Sequence, residues 1–484
     1  MGGRVRADGQ AARVLATKLR SALCLSVLLL AALPAQAQQQ NQNTSGRASH
    51  TQTRARKPTQ GEIELVRQSA HPLTGDARDY DPLFELIGDA RFVLLGEATH
   101  GTHEFYRERA KITRRLVEEK GFNLVVLEAD WPDVFRVNEY VRGVGADQSA
   151  EESLSNFKRF PRWMWRNADF RDFVNWLRAY NDSRRAEAAE VGVYGMDLYS
   201  LSDSADAVVG YLKRVDAEAS KRARKRYGCL SGYRDRPEQY GYDVATGMHG
   251  SCEKETAAQL KEMEARFAAW QADPNRARDE ELFSAYQNAR VVRHGEAYYR
   301  LIYRQNFSTW NLRDRHMTST IQELVKYSDK LGGRRAKVVV WAHNSHQGDA
   351  RMTARGEVGE LNVGHLMRQI YDGQTVLVGF TTYAGEVTAA SEWGQHGSRM
   401  KLRPALEESY AGLFHQTGVP DFLLLFRGDE KLTQALGSHR LERAVGVVYM
   451  PSTERRSHYF DARLSKQFDA VIHFDTSSAV QPLK

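Results

Sequence analysis

Residues 91–104 read RFVLLGEATHGTHE, and the change of character at Gly96 decides the fold class. Up to Gly96 the run is apolar without alternation, which marks a strand buried on both faces rather than one with a wet side. Five more short runs of the same kind occur at 124–127, 191–195, 338–342, 376–380 and 422–426. Segments of helical period separate most of them, as at 105–119, 170–180 and 321–331. Alternation of this sort predicts an α/β fold with a mainly parallel central sheet flanked by helices. The stretch from about 204 to 330 breaks the alternation, being helical in pattern nearly throughout, and predicts a large helical insertion subdomain packed against the sheet.

Ligands of open α/β sheets bind at the carboxyl ends of the strands, so the residues just past each apolar run matter most. RFVLLG leads into Glu97 and His100, LVVL into Glu128 and Asp130, VGVYG toward Asp197, and VVVWA into His343 and His346. Singly these are ordinary. A glutamate after a strand often serves a helix N-terminus, and Arg107 or Arg109 can pair within its own helix. The H-x-x-H of His343 and His346 suits a metal pair as well as a catalytic one. Together, four strand ends bring carboxylates and imidazoles to one edge. A neutral imidazole beside a carboxylate takes a proton from water near neutral pH, and a nearby cation stabilises the oxyanion on an attacked carbonyl. The chain has no G-x-S-x-G, Walker A, G-x-G-x-x-G after a strand or H-E-x-x-H, which removes support for a serine elbow, nucleotide use and zincin chemistry.

The N-terminus reads as a segment apart. Arg4, Arg6, Arg13, Lys18 and Arg20 precede an apolar run over 22–33, and Pro34 with Ala35-Gln36-Ala37 supplies a cleavage site. Residues 1–37 are expected to be a secretory signal peptide, so the protein is periplasmic or secreted; an uncleaved anchor would tether the same domain. Residues 38–58, rich in Gln, Asn, Ser and Thr, are expected to be a disordered linker, and 59–484 one large catalytic domain. Removing five basic residues and one acidic residue with the leader lowers the formal charge from +7 to +3. The basic run at 221–226 lacks interleaved aromatics and reads as a solvated helix face, so no nucleic-acid partner is expected. Cys229 and Cys252 remain after the leader; in an oxidising compartment they form a disulfide, or else stay as two buried thiols.

GEATHGTHEFYRERA, VVLEADWP and VVVWAHNSHQGD, in that order, resemble the erythromycin esterase family. FPRWMWRN, WNLRDRHM, VVYMPSTERRSHYF and QFDAVIHFD extend the resemblance from about residue 60 to the end. It implies that His100 is the general base activating water to open a macrolide lactone. Glu97 and Arg109 then line the site, Glu128 is the carboxylate of the second strand end, and His343 with His346 forms the later histidine pair. The resemblance also selects Arg109 over Arg107 and implies a metal-independent esterase without a cofactor.

The expected activity is therefore hydrolysis of a carboxylic ester or lactone, with a small-molecule substrate as partner. His100 is the base, Glu97 and Glu128 orient it or the water, and Arg109, His343 and His346 stabilise charge. Export and the breadth of the family leave the macrolide open as substrate. A second expectation is a metal- or haem-binding protein using Glu97, His100, Glu128, His343 and His346 as ligands. A third is a role in polysaccharide biosynthesis. Tyr298, Tyr299, Trp310 and Trp393 either line a cleft or fill the core.

Overall fold

The structure is a computed structural model and describes residues 56–184, 190–273, 278–304, 308–331 and 335–483. The expected leader, and the expected linker up to residue 55, lie outside the described residues.

The described strands are β1 (His71–Pro72), β2 (Phe92–Leu95), β3 (Leu124–Asp130), β4 (Gly192–Asp197), β5 (Val338–Trp341), β6 (Thr375–Ala389), β7 (Ser398–Leu402), β8 (Asp421–Leu425), β9 (Arg440–Arg443), β10 (Tyr459–Ala462) and β11 (Ala470–Ser477). One sheet runs β1-β8-β11-β6-β2-β5-β3-β4, with β7 on the extended end of β6, and β9 pairs β10 separately. From β11 to β4 every pairing is parallel. Antiparallel pairing in this sheet is confined to β8, β1 and β7. The apolar runs are thus buried strands, as their lack of alternation requires.

Each central strand feeds two cores. Phe92, Leu94, Leu124, Val126, Val338 and Val340 face one, and Val93, Leu95, Val125, Leu127, Val339 and Trp341 face the other. Helices α1 (His103–Lys120), α2 (Trp131–Val141) and α3 (Ala168–Arg184) add side chains to the second core. The first is covered by α4 (Leu201–Val215), α5 (Ala217–Tyr227), α6 (Pro237–Ala245), α7 (Glu253–Ala272), α8 (Glu280–Leu301) and α9 (Thr309–Leu331). The chain enters the parallel part of the sheet at β2 and steps out to β3 and β4. After the helical stretch it returns to place β5 between β2 and β3, then crosses to β6 on the far side of β2. That reversal makes β2, β5, β3 and β4 neighbours, with their carboxyl ends side by side.

Two details differ from the sequence expectation. Glu128 and Asp130 belong to β3 itself, because β3 continues beside β4 past an irregularity between Leu127 and Asp130. Strand β11 joins the parallel set although His473 and Asp475 break its apolar run. The basic run lies on α5, where Lys221 pairs with Glu218 and both Arg222 and Arg226 pair with Glu262 of α7.

Cys229 and Cys252 are joined as a disulfide, 23 residues apart, tying the end of α5 to the start of α7. Closing a loop of that length restricts the unfolded chain, so replacing both cysteines by alanine is expected to cost about 3 kcal/mol. Denaturant unfolding of the oxidised protein beside the double variant measures this; identical midpoints would contradict it.

Candidate active site

The loop after β2 is fixed from both sides. Val445 donates its backbone N–H to the Ala98 carbonyl and accepts from the His100 N–H, so 98–100 pairs with the segment after β9. Gly101 passes against the backbone of Thr388 in β6, where any Cβ would collide with the Thr388 carbonyl. Thr388 and Val480 both donate to the Gly101 carbonyl. Only glycine permits this approach, and it holds the preceding histidine in place.

Glu97 is fully buried. Its Oε1 lies 2.9 Å from Nδ1 of His100, and Arg109 donates from Nη2 to its Oε2 at 2.8 Å. The carboxylate favours the tautomer in which Nδ1–H donates to Glu97 and Nε2 carries the lone pair. His100 forms part of the cleft wall. Arg109 is fully buried under the rings of Tyr106 and Trp341, 4.5 and 5.0 Å from their centroids. Expected at the site surface, it instead lies beneath it and reaches the cleft only through Glu97.

A second network occupies the ends of β3 and β4. Arg313, from the first turns of α9, donates from Nε and Nη2 to the two oxygens of Asp197 (2.9 and 2.7 Å) and from Nη2 to Glu128 at 2.7 Å. Glu128 also accepts the His343 backbone N–H at 2.9 Å. His346 places Nδ1 2.9 Å from Asp314, while its Nε2 lies 3.0 Å from Arg313 Nη1 and 3.2 Å from Glu128. Trp310 stacks on the His346 ring, centroids 4.4 Å apart. Burial alone would raise the Glu128 carboxyl, but the charges of His346 and Arg313 hold it well below the usual range. Burial works against a charged His346, yet Asp314 and Glu128 outweigh it and lift the imidazole to about 9. Asp314 is itself raised by its burial, which the His346 charge offsets only in part.

A His pKa lifted by folding stabilises the native state below the unfolded value near 6.5, and that stability is lost as pH rises through the folded value. The stability of the protein is therefore expected to fall between about pH 6.5 and pH 9. In Asp314→Asn this slope should flatten, as read by denaturant midpoints across the range. An unchanged slope would show that His346 is neutral in the fold.

His343 plays another part. Its Nδ1 accepts the Ser345 backbone N–H at 3.2 Å, capping the short helix α10 (Asn344–Gln347), and lies 2.8 Å from Ser345 Oγ. Its Nε2 lies 3.2 Å from the Ala98 carbonyl, so Nε2 carries the proton. Burial, reinforced by His100, drives its pKa well below the ordinary value and keeps it neutral. Its ring packs 4.8 Å from that of His100, buttressing it. It cannot supply the positive charge expected of it.

The cleft has a volume of about 180 Å³. His100, Glu128, Asp197, Arg313, His343 and His346 form its inner wall, whereas Glu97 and Arg109 stand behind it. Tyr298, Trp310 and Trp393 line it; Tyr299 is buried and does not. Asp130 binds Arg159 at 2.8 Å, and burial, with Asp130 beside it, pushes the Asp133 carboxyl up to about 8. Among the described residues no group of three or more His, Cys, Asp or Glu side chains is arranged to hold a metal ion. The expected ligands are committed elsewhere: Glu97 to Arg109 and His100, both His346 nitrogens to Asp314, Arg313 and Glu128. Arg313, Asp314 and Arg159 were not singled out from sequence; the signal for the first two was the Arg-Asp pair inside WNLRDRHM.

A family model described as erythromycin esterase matches residues 117–477. That span holds Glu128, Asp197, Arg313, His343 and His346 and begins after Glu97, His100 and Arg109. The erythromycin esterase type II of Escherichia coli is 22% identical over 426 residues, covering 83% of this chain and 93% of the relative. The putative hydrolase YbfO of Bacillus subtilis (strain 168) is 21% identical over 351 residues, covering 68% and 73%. Among solved structures, a succinoglycan biosynthesis protein superposes with a TM-score of 0.69 at 21% identity, covering 87% of this chain and 98% of its own. A mutant of the erythromycin esterase EreC in its open conformation gives 0.60 at 17%, covering 84% and 95%. These likenesses carry the fold, and the family match spans most of the sequence: the chain belongs to the erythromycin esterase family.

Proposed function

We propose that the protein is an exported hydrolase that cleaves a carboxylic ester or lactone by direct attack of water activated at His100. The observation that carries this reading is the 2.9 Å contact between Glu97 and His100 Nδ1 at the wall of the cleft, with Arg109 locking Glu97 from behind. Glu97 orients the ring and stabilises the imidazolium that forms as water gives up its proton. Arg313 of α9 and protonated His346 of α10 line the same cleft, where they favour the oxyanion. Arg109 and His343 act through other residues, by position. Family membership supports hydrolysis, and the leader read from the sequence supports export.

A cleft of about 180 Å³ falls below the roughly 300–1,000 Å³ typical of pockets for drug-sized ligands. It favours a small ester or lactone over a macrolide. Ser345 lies against His343 in the same cleft, but a neutral imidazole with a strongly depressed pKa is a poor base for it. Serine catalysis therefore has little support.

The test is a hydrolysis screen across simple esters, small lactones and macrolides, read by mass as one water gained by a lactone ring or as the paired acid and alcohol released from an ester. Turnover of a small member is the expected result; a folded protein that leaves the whole panel intact contradicts the reading. Once a substrate is found, Glu97→Gln should lower kcat about a hundredfold, since the amide no longer stabilises the imidazolium. A variant that changed KM alone would assign Glu97 to binding instead.

A further inference from the structure

Arg355 lines the cleft but is not used by this chemistry. Arg313 and His346 are paired with Glu128, Asp197 and Asp314, and Asp130 pairs with Arg159. Arg355 lines the same cleft and the small hollow beside it, yet takes part in no ion pair among the described residues. Its guanidinium lies 5.7 Å from the ring centroid of Trp310 and 5.2 Å from that of Phe460. Its Nε is buried and without a partner. The carboxylates that act on it electrostatically are Glu360 and Glu442. Burial raises both, Glu442 to about 7, so Glu442 is only a partial counter-charge near neutrality, and neither carboxylate makes a hydrogen bond or ion pair to Arg355 among the described residues.

A guanidinium held by aromatic faces, partly desolvated and lacking a counter-ion, is organised in advance for a planar anion. Its position relative to the reaction centre is set by Trp310, which touches Arg355 and stacks on His346. We infer that Arg355 is the specificity-determining residue of the cleft and receives a carboxylate on the substrate, a group separate from the bond that is cleaved. The substrate class is then a small ester or lactone bearing a free acid. This rests on the cleft being the substrate site of the proposed hydrolase.

Titration calorimetry of the full chain with phenylacetate and with phenylacetamide, an uncharged molecule of nearly the same shape, tests it without turnover. The acid should bind about tenfold more tightly than the amide, as one charge-assisted forked contact implies. Arg355→Met should erase the difference while leaving amide binding unchanged; Arg162→Met, at the exposed cleft mouth, should leave it intact. Equal binding of acid and amide, no binding of either, or a difference that survives in Arg355→Met overturns the inference; in the last case the carboxylate sits at Arg313 and His346. If the methionine variant does not fold, Arg355→Lys, which keeps charge but loses the fork, should show a reduced difference, and a full one counts against the proposal. A preserved preference in a protein that hydrolyses nothing would sink the hydrolase reading alone. Hydrolysis without the preference would sink only the role of Arg355.

Discussion

Replacing His100 by alanine is expected to lower kcat/KM by about a thousandfold or more, with the fold intact. Water is a weak nucleophile at neutral pH, and His100 is the cleft-lining imidazole with one nitrogen fixed by a carboxylate and the other free to take a proton. His343 cannot replace it, because its Nδ1 accepts from Ser345 and its Nε2 faces the Ala98 carbonyl. Nor can His346, which is already protonated near neutrality by Asp314 and Glu128. Truncation should leave stability nearly unchanged, since Glu97 keeps its contact with Arg109. Activity and unfolding are therefore to be measured on the same preparation. A thousandfold loss with an unchanged midpoint is the expected pair of results; near-full activity would remove His100 from the mechanism.

Arg313→Met is expected to have the opposite character and to cost about 3–5 kcal/mol of stability. The guanidinium is the shared partner of Asp197 and Glu128, all three buried. Methionine fills similar space but leaves two carboxylates facing each other out of water. Against a total stability of about 5–15 kcal/mol, that loss is severe. Removing the stranded charges should restore much of it, so Arg313→Met combined with Glu128→Gln and Asp197→Asn should unfold at higher denaturant than Arg313→Met alone. If the single substitution leaves the midpoint in place, the network is solvated and the account of burial is wrong. Activity should fall in both variants, because the cation that lines the cleft with His100 is gone.

The sequence carried the frame of this site because strand ends in a parallel sheet are local signals. An apolar run that stops at a glycine and is followed by Glu97 and His100 announces both the strand and the groups it presents. It did not carry Arg313, which reaches Glu128 across 185 residues from a helix whose pattern looks like any other. Nor did it distinguish the two histidines of H-x-x-H. Their different fates depend on His343 adopting an extended backbone that turns its ring into a helix cap, and on Asp314 arriving at His346 from α9. Arg109 shows the same limit: its place on the helix close to Arg107 was legible, but only packing reveals that it lies under Trp341 and not at the surface. Arg159 and Trp165 come from an irregular stretch between α2 and α3, where no periodicity marks a cleft wall.

If water activated at His100 attacks the ester directly, no covalent intermediate forms on the protein. Rapid quenching of a single turnover, with protein in excess over a substrate taken from the screen, followed by intact-mass measurement of the protein and the product, tests it most directly. The expected result is a ring-opened acid heavier by one water from a lactone, or an acid and alcohol that together exceed the substrate by one water from an ester, formed at the rate of the chemical step, while the protein keeps its unmodified mass at every time point. A transient acyl adduct on the protein, at Ser345 or elsewhere, would contradict it.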